Sequence, residues 1–181
     1  LCRTKTGLSR FLLKLFIFSM LIPFSSIMIP LYKVTLALGI KNSLLGLSFV
    51  YAGLGVSMAI FLYHGFVKSI PTEMEAAAID GCGSVQTFFR IVLPMLKPIT
   101  ATITITNVLW VWNDFLLPLI VISDSKKYTL LLSTNTLFGQ YSSDWTAILS
   151  ALILAALPVI GFYAVFQKQI LKGIADGAVK G

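Results

Sequence analysis

Residues 44–66 read LLGLSFVYAGLGVSMAIFLYHGF, a run without a single Asp, Glu, Lys or Arg. An α-helix rises about 1.5 Å per residue, so roughly 20 apolar residues cross the ~30 Å hydrocarbon core of a bilayer. Such a run has no polar face to turn to water. In lipid it is self-sufficient, because a helix satisfies its own backbone hydrogen bonds. Three more stretches qualify: about Phe11 to Tyr32, interrupted by Pro23 and Pro30; about Ile99 to Ile122, with Pro118 near its end; and about Thr146 to Phe166, with Pro158 and Gly161 inside it. The pattern predicts an all-α fold, a polytopic membrane helix bundle with four transmembrane helices in a single transmembrane domain over 1–181.

Composition agrees. The 181 residues are 57% hydrophobic and 12% charged, about half the roughly 25% charge of a soluble domain. So few charges cannot cover a water-exposed surface, which excludes a soluble enzyme and a disordered chain. The net charge of +7 is spread thinly between apolar runs and forms no basic stripe, so a nucleic-acid partner is excluded. Ten of the fourteen Lys and Arg fall in one set of loops: Arg3, Lys5, Arg10, Lys14, Lys68, Arg90, Lys97, Lys168, Lys172 and Lys180. The other set holds Lys33, Lys41, Lys126 and Lys127. The excess marks the cytoplasmic side, placing both ends and the 68–97 loop in the cytoplasm. Cys2 and Cys82 have neither disulfide-framework nor metal-ligand spacing, and no metal site is expected.

The 68–97 loop is more than a connector in its local chemistry. Thr72 followed three residues later by Glu75 forms a capping box, and Glu73 and Glu75 favour the positive end of a helix dipole. Ala76 to Ala78 favour helix, and Gly81 supplies a stop. A helix is expected over 73–80, and a second, capped by Ser84, over about 85–93 before Pro94. These two helices suit a rigid lever for a soluble partner; an amphipathic connector is the plainer alternative.

Glu75-Ala76-Ala77, Gly81 four residues after Ala77, and Ile91-Val92-Leu93-Pro94 together resemble the EAA loop of permease subunits of binding-protein-dependent ABC importers. Trp110-Val111-Trp112-Asn113-Asp114-Phe115, the stretch Phe138 to Trp145 and the closing Gly177-Ala178-Val179-Lys180-Gly181 are similar to the maltose-type, carbohydrate-importing branch. The resemblance covers nearly the whole chain. Family members usually have six spans, and the basic opening Arg3 to Arg10 is similar to the loop after the second. The resemblance therefore implies a segment lacking about two N-terminal spans.

The same resemblance implies a transmembrane permease that hydrolyses nothing itself. Its coupling helix would dock Glu75, Ala76, Ala77 and Gly81 on an ABC ATPase dimer, which binds ATP-Mg. A second permease subunit and an extracytoplasmic solute-binding protein complete the set of partners, with membrane lipid around them, in a bacterial or archaeal cell membrane. No catalytic residues and no cofactor are expected in this chain: there is no G-x-x-x-x-G-K-[ST] phosphate loop, and the single His64 suits the membrane interface. Trp110, Trp112, Asn113 and Asp114 are candidates for the solute path, since indoles stack on sugar C–H faces and amides bind hydroxyls. Interfacial anchoring of the tryptophans and a structural use of Asp114 stay open beside this. Gln140, Tyr141, Asp144 and Trp145 are candidates for touching a binding protein. A non-transporting structural or assembly subunit is the alternative function.

Overall fold

The computed structural model describes residues 6–68, 70, 84–138 and 144–178, with backbone alone at 84 and 168–178. The helix expected over 73–80 lies outside the described residues. Among those described, every regular element is helical and no strand forms. The first part of the chain gives α1 (Gly7–Ser19), α2 (Phe24–Ala37) and α3 (Leu44–Lys68). Then come α4 (Ser84–Thr87), a π-helical turn (Phe88–Val92), α5 (Leu93–Met95) and α6 (Lys97–Trp112). The last part holds α7 (Leu116–Val121), α8 (Leu130–Thr134) and the long α9 (Trp145–Ala178), with 3-10 turns at Ser125–Lys127 and Asn135–Leu137. This is the all-α architecture that the apolar runs predict.

α3 and residues Trp145–Gln167 of α9 are each long and apolar enough to cross a membrane. Only 17% and 11% of their most apolar windows are buried within the chain. Faces this apolar and this bare are stable only against lipid or another protein. The stretches expected at 44–66 and 146–166 fall inside these two helices. That at 11–32 falls on α1 and α2, parted at Met20–Pro23, and that at 99–122 falls on α6 and α7, parted at Asn113–Phe115. Counting two bent helix pairs, α1 with α2 and the stretch Val85–Met95 with α6, as one span each brings the total to as many as four; α7 belongs to neither pair. Pro23 explains the first parting, because its fixed φ and missing N–H suit the start of a helix and not its interior.

The chain divides into two compact units. One comprises Leu1–Leu21, Gly55–Thr106 and Lys168–Gly181. Within it Thr6 caps α1, its Oγ1 accepting from Ser9 N at 3.3 Å. Ser19 Oγ meets Ser57 Oγ at 2.7 Å, and Tyr63 OH meets Thr100 Oγ1 at 2.8 Å. These hydroxyl pairs offset the cost of placing polar atoms among apolar helices. The helical stretch Val85–Met95 meets α6 at a 64° bend, where Pro94 and Pro98 interrupt the backbone ladder. The π-helical turn inside it replaces the plain helix expected over 85–93.

The other unit comprises Ile22–Leu54 and Asn107–Gln167. Leu47, Val50 and Tyr51 of α3 form its core with Leu117, Val121 and Ile122. Leu117 and Val121 are 1% and 0% exposed. The six-residue α7 thus buries one face in this core, and it touches α2. The turn from α2 to α3 is built on two left-handed residues, Gly39 (φ 65°) and Asn42 (φ 58°). Glycine and asparagine are the residues that enter this region most readily. Gly46 must also be glycine-sized, because a Cβ there would run into the Ile40 carbonyl.

Candidate functional site

Two sites are expected from the sequence. The expected ATPase-docking residues Glu75, Ala76, Ala77 and Gly81 lie outside the described residues, as do Gln140 and Tyr141. The solute-path candidates lie on the last turn of α6 and just beyond it, and here the geometry is specific.

α6 stops at Trp112. Asn113 folds back on it, Nδ2 donating to the Leu109 carbonyl at 2.7 Å, which the Asn113 backbone N–H also reaches at 3.1 Å. A side chain that competes in this way for the helix's last carbonyls favours ending the helix. Asp114 follows. Its Oδ1 accepts from Leu116 N at 3.0 Å, capping α7, and its Oδ2 accepts from the Tyr51 hydroxyl on α3 at 2.9 Å. The Tyr51 ring meets Trp110 edge-on, centroids 5.5 Å apart, a favoured aromatic geometry. Trp112 Nε1 donates to the Ala155 carbonyl of α9 at 3.1 Å.

The structure therefore brings Trp110 and Asp114 together around Tyr51. Trp112 turns elsewhere. With Asn107 and Val111 it lines an open cavity of about 570 Å³, bordered on another side by Thr129, Leu130 and Leu131. That volume lies within the roughly 300–1,000 Å³ of small-ligand sites. The lining is mostly apolar, with Asn107 and Thr129 adding hydrogen-bonding groups. Trp110 and Trp112 keep 40% and 39% of their surface exposed, so part of each indole stays open beside the contacts it makes. Asn113 and Asp114 do not line this cavity.

A second polar cluster occupies the turn from α2 to α3. Asn42 Oδ1 accepts from the backbone N–H of Ser123 at 3.1 Å and of Asp124 at 2.9 Å. Its N–H donates to Val121 O at 2.8 Å, and its carbonyl accepts from Lys127 Nζ at 2.9 Å. Lys41 Nζ donates to Tyr32 OH at 3.0 Å. Further on, Asp144 Oδ1 caps α9 by accepting from Ala147 N at 2.9 Å, and Trp145 packs edge-on against Phe138. Among the described residues no group of three or more His, Cys, Asp or Glu is placed to hold a metal.

Sequence reading passed over Tyr51, Asn107, Thr129 and Asn42. Tyr51 carried a signal: a hydroxyl in the middle of an apolar span needs a partner, and Asp114 is the carboxylate in another such stretch. Asn107, an amide inside the stretch 99–122, carried the same signal; Thr129 and Asn42 are ordinary loop residues whose roles only the folded chain shows.

Comparison with known proteins adds three findings. The profile of the family "Binding-protein-dependent transport system inner membrane component" matches residues 3–175. AmyC of Thermoanaerobacterium thermosulfurigenes, a probable starch degradation products transport system permease protein, is 41% identical over 181 residues, 98% of this chain and 65% of its own length. MelC of Bacillus subtilis, a melibiose/raffinose/stachyose import permease protein, is 37% identical over 183 residues, 100% of this chain and 66% of its own length. The chain thus spans about two thirds of the length of these relatives. Among solved structures, a bacterial ABC transporter involved in the import of the acidic polysaccharide alginate matches with a TM-score of 0.75 at 21% identity. The match covers 92% of this chain and 64% of that one, and at such identity it speaks for the fold.

Proposed function

We propose, on the premise that this chain belongs to the inner membrane components of binding-protein-dependent transport systems, that it is the permease subunit of an ABC importer for a sugar or sugar-like solute. One observation carries the reading. A chain matched to that family over residues 3–175 contains Glu75-Ala76-Ala77, Gly81 and Ile91-Val92-Leu93-Pro94 at the spacing of the EAA loop. In this reading a dimeric ATPase subunit binds ATP-Mg and receives Glu75, Ala76, Ala77 and Gly81. Alanines are small enough for close approach, a glutamate can cap its own helix or pair with a cation of the partner, and a glycine allows the turn. Closure of the ATPase pair moves the docked helix and switches access to the path. A second permease subunit forms the other side of the path, and an extracytoplasmic binding protein delivers the solute. Ten of fourteen basic residues on one set of loops support a cytoplasmic location for both ends and the 68–97 loop.

The path runs beside Trp110, Trp112, Asn113 and Asp114. The cavity next to Trp112, with Asn107 and Thr129, supports a sugar: an indole face for C–H surfaces, an amide and a hydroxyl for ring hydroxyls. Relatives named for starch degradation products and for melibiose, raffinose and stachyose support an oligosaccharide. The test is the full-length protein reconstituted with its own ATPase, second permease and binding protein. Gly81→Asp and Glu75→Lys are expected to abolish copurification of the ATPase or to cut ATP-driven uptake of maltotriose or raffinose at least tenfold. Assembly and uptake that survive both substitutions would refute the coupling role.

A further inference from the structure

We propose that Tyr51 and Asp114 form a positioning strut, which holds the end of α6 in place and so sets the wall of the solute path. This rests on the permease reading and goes beyond it. One carboxylate serves two elements: Oδ2 takes the Tyr51 hydroxyl of α3 at 2.9 Å, and Oδ1 takes Leu116 N of α7 at 3.0 Å. It does so at the interruption of 113–115, where the backbone ladder of α6 has ended and Phe115 offers α7 no side-chain cap. Tyr51 is 9% exposed and belongs to the core with Leu117 and Val121, so its hydroxyl has little water to fall back on. Its ring also meets Trp110, two residues before the Trp112 that lines the cavity.

A hydroxyl and a carboxylate at the edge of an apolar core are either paired or left costly, which favours discrete arrangements over continuous flexing. In the paired arrangement the last turn of α6 is fixed at both Trp110 and Asp114, and the Val111 and Trp112 wall is fixed with it. Weakening the pair frees that wall from the core of α3 and α7. Access to the cavity then no longer follows the state of the ATPase.

The test needs no knowledge of the solute. The complete transporter, with Cys2, Cys82 and every other native cysteine replaced by Ser, carries one new cysteine, Val111→Cys, in the cavity wall. A membrane-impermeant maleimide is applied with and without ATP and vanadate, and the ratio of the two labelling rates is read. Tyr51→Phe removes only the hydroxyl and keeps the ring on Trp110; Asp114→Asn keeps the shape and weakens the acceptor. Each is expected to bring the ratio at least threefold closer to one in assembled transporter, and to raise ATP hydrolysis without binding protein. The double variant is expected to go no further than the stronger single one. A residue that only stabilised the fold would lower the amount of assembled transporter and leave the ratio unchanged. That result with Tyr51→Phe, or additive effects in the double variant, overturns the strut. If Asp114→Asn does not assemble, Tyr51→Phe decides alone. A ratio of one before any strut substitution would instead overturn the permease reading, and the strut with it.

Discussion

Two of the stretches read as single spans are interrupted, and the interruptions at 20–23 and 113–115 differ in kind. At the first, Met20 N and Leu21 N bond to carbonyls three residues back, and Pro23 opens α2 with φ −65°. Leu21 stands 73% exposed. The backbone bonds that shape this break are local, although Ser19 Oγ beside it also meets Ser57 Oγ of α3. The break at 113–115 is shaped by partners far along the chain: Tyr51 reaches Asp114 from sixty-three residues away, and Trp112 reaches Ala155 from forty-three. Just beyond it Leu117 and Val121 are enclosed. A local break is set by backbone chemistry and tolerates changes around it; a tertiary break depends on each distant partner.

That contrast is open to direct attack, with stability measured by thermal or denaturant unfolding of the detergent-solubilised protein. Leu117→Ala beside the second break empties a fully enclosed site and is expected to cost about 3–5 kcal/mol. A loss below about 1 kcal/mol would mean that α7 is not the anchor of its core. Asp114→Ala strips acceptors from both the Tyr51 hydroxyl and Leu116 N, for about 2–3 kcal/mol; Tyr51→Phe is expected to recover part of that loss when combined with it. At the first break, Pro23→Ala is expected to cost only about 0.5–1 kcal/mol, chiefly by loosening the unfolded chain. Leu21→Ser is expected to stay within about 0.5 kcal/mol. An effect at Leu21 as large as that at Asp114 would show the first break to be tertiary as well.

The same contrast explains what could be read from the residues. The runs at 44–66 and 146–166 were plain because hydrocarbon imposes length and apolarity on any helix that crosses it, and both fall in α3 and α9. Pro23 announced an interruption in its stretch. Nothing comparable announced the one at 113–115, since Pro118 lies inside α7 and not at the break. Of the candidates for a solute path, the two indoles were noticed for their faces. The use of Asp114 as both cap and acceptor needed Tyr51 beside it. Asn42 was missed for a similar reason: as one more polar turn residue it was unremarkable, and its two accepted N–H groups come from Ser123 and Asp124.

Scarce charge, apolar runs near twenty residues and the EAA spacing between two of them are properties of the linear chain. By themselves they settled an all-α membrane protein and pointed to its family, because solvation and helix geometry act on each segment separately. Where α6 ends, which side chains face the 570 Å³ cavity and what Asp114 holds were decided only by tertiary structure. Those depend on which polar atoms meet across helices, and in an apolar surrounding an atom's role is fixed by the partner it finds.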